Sequence, residues 1–254
     1  MVVTTAAAGS ARGRTSHLRA AGRRLAGAAG LAGLSYALVA AVSWYRYGHV
    51  AHLAEDEGGD ALLDRFLPRY EVVERHRTRV AAPAAVTFAA ACELDLTRSA
   101  IVRGIFKCRE VILGSHPDAA PRPRGLVTLM KDLGWGVLAE VPDREIVCGA
   151  VTQPWQADVV FRALPPEEFA AFREPGWVKI AWTLRADPLG ADASIARTET
   201  RAATTDAAAR AQFRRYWSLF SPGIALIRRI SLRQLRTEAQ ARAGEMLRHA
   251  AAQP

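Results

Sequence analysis

The chain has 254 residues, is half apolar and carries a formal net charge of +9; that is enough apolar material for a real core and argues against wholesale disorder. Cys92, Cys108 and Cys148 are widely spaced, with no C-x-x-C pair. This excludes a recognisable zinc ribbon, redox motif or disulfide framework, and buried free thiols are the expected state.

The charge is unevenly placed. Residues 1–24 hold five Arg and no acid, and the stretch from Arg210 to Arg248 holds nine Arg against Glu238 and Glu245. The first cluster flanks an apolar run and the second lies on a predicted helix, which reads as a solvated helix surface. Only that second cluster could face a nucleic acid or anionic lipid, so nucleic acid is not an expected partner.

After the basic segment 1–24, residues 25–45 run without a charge. A helix of that length spans about 30 Å, the thickness of a bilayer core, so an N-terminal transmembrane helix is expected here. Trp44, Tyr45 and Tyr47 cluster at its far end, where amphipathic rings favour the interface. The excess of Arg before the run places the N-terminus in the cytoplasm and the main domain outside it. Ala41-Val42-Ser43 also resembles a cleavage site, which leaves secretion after signal removal as the alternative.

Residues 46–69 read as an acidic linker punctuated by Gly58-Gly59 and Pro68. His49 and His52, followed by Glu55, Asp56 and Glu57, have no rigid element to hold them, so no metal site is expected. Residues 70–80 alternate as a half-exposed strand, with Val72, Glu74, His76, Thr78 and Val80 against Val73, Arg75, Arg77 and Arg79. Pro83 opens a helix running to about Leu94. Ser99 caps a second over 100–113, and Leu126, Leu129 and Leu133 suggest a short third.

Strands are predicted over 135–141 and 145–151 around the turn Pro142-Asp143-Arg144, then over 157–163, 177–186 and 194–204. A short helix is predicted over 165–173 and a turn at Asp187-Pro188-Leu189-Gly190. Thr205 or Asp206 caps a long helical region that Ser221-Pro222-Gly223 must kink or break, with a second stretch from Ile224 to about Leu247. In that second stretch Ile227, Ile230 and Leu235 oppose Arg228, Arg229, Arg233 and Arg236.

Three local sequences carry a resemblance. Val80-Ala81-Ala82-Pro83-Ala84-Ala85-Val86-Thr87-Phe88 resembles the strand-to-helix junction that opens START-like (SRPBCC) domains. Asp187-Pro188-Leu189-Gly190 with Thr198-Glu199-Thr200-Arg201 resembles their penultimate hairpin, and Phe213-Arg214-Arg215-Tyr216-Trp217 the start of their last helix. The resemblance spans roughly residues 70–240, leaving 241–254 as a helical tail. It implies an α+β helix-grip fold, a curved antiparallel sheet wrapped around a long C-terminal helix, here preceded by the transmembrane helix.

The resemblance further implies a cavity between sheet and helix. Members of this superfamily bind lipids, polyketides or sterols, and a minority catalyse cyclisation or hydrolysis, so the fold does not decide the function. Candidate lining residues are Ile180, Trp182, Leu184, Phe213, Trp217 and Phe220, each of which could equally belong to a packed core.

Glu199 joins the candidates if the last strand turns Arg197, Glu199 and Arg201 inward. If Thr198 and Thr200 point inward instead, the charges form a network on the outer face. No nucleophile elbow, phosphate loop, dinucleotide fingerprint or zinc-protease motif is present, so no catalytic residue and no cofactor are expected. Three functions remain open: binding an apolar or amphipathic small molecule, cyclase/aromatase-type catalysis, and a ligand-free module presenting the Arg-rich last helix.

Overall fold

A computed structural model describes residues 9–49, 59–115 and 125–252 of the chain. The elements in order are α1 (Gly9–Arg46), α2 (Ala61–Asp64), β1 (Val72–Val80), α3 (Ala84–Cys92), α4 (Ala100–Leu113) and α5 (Leu126–Asp132). They are followed by β2 (Gly136–Val141), β3 (Glu145–Thr152), β4 (Phe161–Arg162), α6 (Pro166–Ala171), β5 (Val178–Pro188), β6 (Ser194–Thr204) and α7 (Ala207–Ala251). The strands form one antiparallel sheet in the order β1-β6-β5-β3-β2, with β4 on β3. One long helix, α7, and the shorter α3 pack on one face of it. This is the expected α+β helix-grip arrangement.

Local chemistry sets the boundaries. The Ser99 hydroxyl accepts from the Val102 amide at 3.3 Å and starts α4 where the sequence placed it. Asp206 caps α7, its Oδ1 accepting from the amides of Ala208 (2.7 Å) and Ala209 (2.9 Å). The turn between β2 and β3 puts Asp143 at φ 57°, a left-handed position that Asp tolerates better than most residues. Of the strand predicted over 157–163 only the two-residue β4 forms.

Register divides the sheet residues between its faces. On the α7 side lie the rows Val72–Ala202–Ile180–Ala150, Glu74–Thr200–Trp182–Cys148 and His76–Thr198–Leu184–Ile146. On the opposite side lie Val73–Arg201–Ala181–Gly149, Arg75–Glu199–Thr183–Val147 and Arg77–Arg197–Arg185–Glu145.

The core is correspondingly divided. Leu235, Ala239 and Ala243 of α7 pack with Phe88, Trp182, Leu184, Ala186 and Ala196. At the other end of the helix Phe213 packs with Tyr47, Val72, Val178 and Ala202. On the opposite sheet face Leu63, Phe66 and Leu67 pack with Val147, Val151, Phe169 and Ala181. Burial of each of the Leu, Val and Phe side chains among these contributes about 1.5–3 kcal/mol.

Several expectations change. The described part of the segment read as a linker, 59–69, packs on the sheet, because the spacing of Leu63, Phe66 and Leu67 gives it an apolar face. Pro222 does not break the last helix, since α7 runs through it for 45 residues. Helix α1 lies along this region: the Tyr36 hydroxyl donates to the Leu219 carbonyl, and Ser43 and Ser221 hydroxyls meet at 3.0 Å. This packing holds α1 against α7 just before the proline.

Residues 25–45 are helical within α1, but among the described residues no helix is long and apolar enough to cross a membrane. Ten of those 21 residues are Ala or Gly, which keeps the segment only modestly apolar. Apart from His49, the His/acid cluster at 49–57 lies outside the described residues. The thiols are free, with Cys148 buried and Cys92 half-buried, but Cys108 is exposed on α4.

Candidate functional site

Between the two apolar clusters under α7 the sheet presents polar side chains. Glu74 and His76 come from β1, Thr198 and Thr200 from β6, all on the helix-facing side by register. Arg228 reaches them from α7. Its Nη1 donates to Thr198 Oγ1 at 3.3 Å and its Nη2 donates to Thr200 Oγ1. His76 Nε2 stands 3.3 Å from Glu74 Oε2, within ion-pair range. Burial lowers the pKa of Arg228 from its usual value, against the pull of Glu74.

Some of these polar atoms are sealed from solvent without a hydrogen bond. Arg228 Nε and His76 Nε2 have no hydrogen-bond partner, nor does Gln234 Oε1 one turn further along α7. A buried polar atom left in this state costs about 1–3 kcal/mol. The patch is flanked by Ile180, which touches both apolar clusters, and by Trp182 and Leu184.

Five of the six apolar candidates belong to the clusters between helix and sheet, but not as one wall. Trp182 and Leu184 are buried with Leu235, while Phe213 and Trp217 pack around Tyr47 and Val178. Ile180 sits between the two groups. Phe220 lies half-buried with its ring 4.9 Å from that of Tyr216.

Glu199 is the exception. It points to the face away from α7, so the outward alternative describes it, and it does not line the helix–sheet interface. It is nonetheless buried. Arg75 grips it with Nε and Nη2 at 2.8 and 2.9 Å, and Arg201 Nε donates to it at 2.6 Å. Arg201, fully buried, also pairs with Asp64 and donates to the Leu67 carbonyl at 3.0 Å. With its oxygens taken by two guanidinium groups, Glu199 is a structural anion beneath α2, held where no cavity ligand reaches.

Residues missed from the sequence were Glu74, His76 and Arg228. The first two carried a signal: they share the alternating face of Val72 and Val80, the face that must be buried. Arg228 was assigned to solvent because it follows Ile227 on an Arg-rich helix, yet it turns toward the sheet.

A concavity of about 620 Å³ lies at the far part of α7, lined by Glu93, Asp95, Arg98, Arg233, Glu238 and Arg242 among others. Its charges pair with one another, Arg242 with Glu93 at 2.8 Å and with Glu238 at 3.1 Å, and Arg98 with Glu238 at 3.7 Å. An open, self-neutralised groove does not suit an apolar molecule. Among the described residues no group of three His, Cys, Asp or Glu is placed to hold a metal ion.

No family model matches the chain, and no curated protein matches it. Among solved structures it is similar to norcoclaurine synthase from Thalictrum flavum, at 10% identity over 66% of this chain and 94% of that one, with a TM-score of 0.30. It is also similar to the Zhui aromatase/cyclase from Streptomyces sp. R1128, at 13% identity over 67% and 94%, TM-score 0.26. A START superfamily protein from Mycobacterium smegmatis matches at 10% identity over 68% and 98%, TM-score 0.24. Likenesses this distant carry no argument about chemistry. The helix-grip assignment rests on the chain's own strand order, register and long last helix.

Proposed function

We propose that this chain binds an apolar or amphipathic small molecule between its sheet and α7, without catalysing a reaction on it. The observation that carries the reading is the sealed, unbonded Nε of the Arg228 cation, set between two apolar clusters. A core built only for stability would place apolar side chains there. A site for an amphipathic molecule needs both kinds of surface, apolar walls and a few convergent polar groups.

Native mass spectrometry of the purified full chain tests this. Small molecules that copurify, released on unfolding, are expected; a protein whose mass is that of the bare polypeptide in every preparation, and which takes up no added amphiphile, overturns the reading.

The cyclase-type reading through Glu199 finds no support, because that carboxylate faces away from the interface. The ligand-free module is weakened by the number of α7 arginines already engaged. Arg210 pairs with Glu71, Arg214 binds the Trp44 carbonyl and stacks on its ring, and Arg242 pairs with Glu93.

We further propose that α1 holds the domain against a membrane surface. The support is its outward row of exposed Leu31, Leu34, Leu38, Val42 and Tyr45, with Arg23 and Arg24 exposed before it. The bonds of Tyr36 and Ser43 to α7 favour retention of the segment over cleavage after Ser43. The full-length chain is expected in the membrane fraction of lysed cells; a chain found only in the soluble fraction overturns the tether.

A further inference from the structure

We propose that Arg228 is the anchor for the head of the bound molecule, and that this head is an oxyanion, a carboxylate or a phosphate. The inference rests on the binding reading above and adds the class of ligand. Arg228 is a cation at the helix–sheet interface with no carboxylate within ion-pair distance among the described residues. Its two terminal nitrogens are given to neutral hydroxyls, Thr198 and Thr200, on successive inward positions of β6. Those bonds fix the plane of the guanidinium and leave the Nε–H without an acceptor.

The donor inventory then decides the sign of the ligand. A guanidinium only donates, and a threonine hydroxyl that accepts from it still has its own proton to give. The sealed Nε–H is thus the free donor of a buried cation, a group that fits an oxyanion. Glu74, the one carboxylate on the inward rows beside Arg228, opposes this by charge and stands 3.3 Å from His76 Nε2. No other charged group is found on the two neighbouring inward rows, which hold Ala202, Ile180, Thr198 and Leu184. An apolar tail leaving the head toward Ile180 and Trp182 meets the two hydrophobic clusters.

Titration of the full chain with oleate, an oleoyl lysophosphatidate and oleyl alcohol separates the possibilities. At least one anionic amphiphile is expected to bind ten-fold or more tighter than the alcohol. Arg228→Met is expected to erase that preference while keeping the affinity for the alcohol, and Arg228→Lys, which keeps the charge but not the fork, to reduce it. A stronger response to oleate assigns a carboxylate head, and one to the lysophosphatidate a phosphate head. Equal binding of anions and alcohol by the wild-type chain overturns the head-group assignment and leaves the binding reading standing. Preference retained in Arg228→Met overturns the role of Arg228. No binding of any of the three overturns the binding reading and this inference with it. Should Arg228→Met fail to fold, the wild-type comparison and Arg228→Lys still decide.

Discussion

Two carboxylates show how burial on the outer face of the sheet differs in consequence. Glu199 is held by Arg75 and Arg201, and removing its charge leaves buried guanidinium groups short of an anion. Glu199→Gln is therefore expected to lower stability by about 3 kcal/mol in urea unfolding, with amphiphile affinity per folded molecule unchanged. Lost affinity at unchanged stability would contradict its placement. Glu145 is the opposite case. Burial first, then its hydrogen bond with Asp60, raises its pKa to about 7. The folded chain holds that proton more tightly than the unfolded one, so this contribution is present below about pH 4.5 and is lost as pH rises through about 7. Glu145→Gln is expected to flatten the fall in unfolding midpoint across that window. An identical slope in the variant would show that another group sets it.

At the scale of elements, much was legible because local signals were self-sufficient. Ser99 and Asp206 cap their helices as the sequence indicates, and the alternation in β5 and β6 matches their register. What could not be read depended on partners distant in sequence. Pro222 reads as a breaker, yet α7 runs through it with α1, nearly two hundred residues earlier, packed alongside. The segment before β1 looks like a linker until the sheet offers its outer face to Leu63 and Phe66. That face is tightly filled at Gly149, where an added methyl carbon would stand 2.5 Å from Leu138 Cδ1 and 3.2 Å from Phe169. Gly149→Ala is expected to cost about 1–3 kcal/mol, read as a lower urea midpoint. A neutral outcome would mean that the layer of α2 and α6 is loose.

For the molecule as a whole, the fold was more legible than the site. The order of strands and helices is written in local patterns, whereas the direction of one Arg on an Arg-rich helix is not. Five of the apolar candidates fall in the clusters under α7 because aromatic and aliphatic residues announce burial; the direction of Arg228 was missed because its charge announces solvent. The proposed function stands or falls on an amphipathic molecule lying between the sheet and α7. Photo-crosslinking the full chain with a diazirine-bearing fatty acid, followed by mapping of the labelled residues, tests this most directly. Labels are expected on inward positions of β5, β6 and α7, among them Ile180, Trp182, Thr198 and Arg228. Labels confined to the exposed apolar residues of α1 and α4 would contradict the claim.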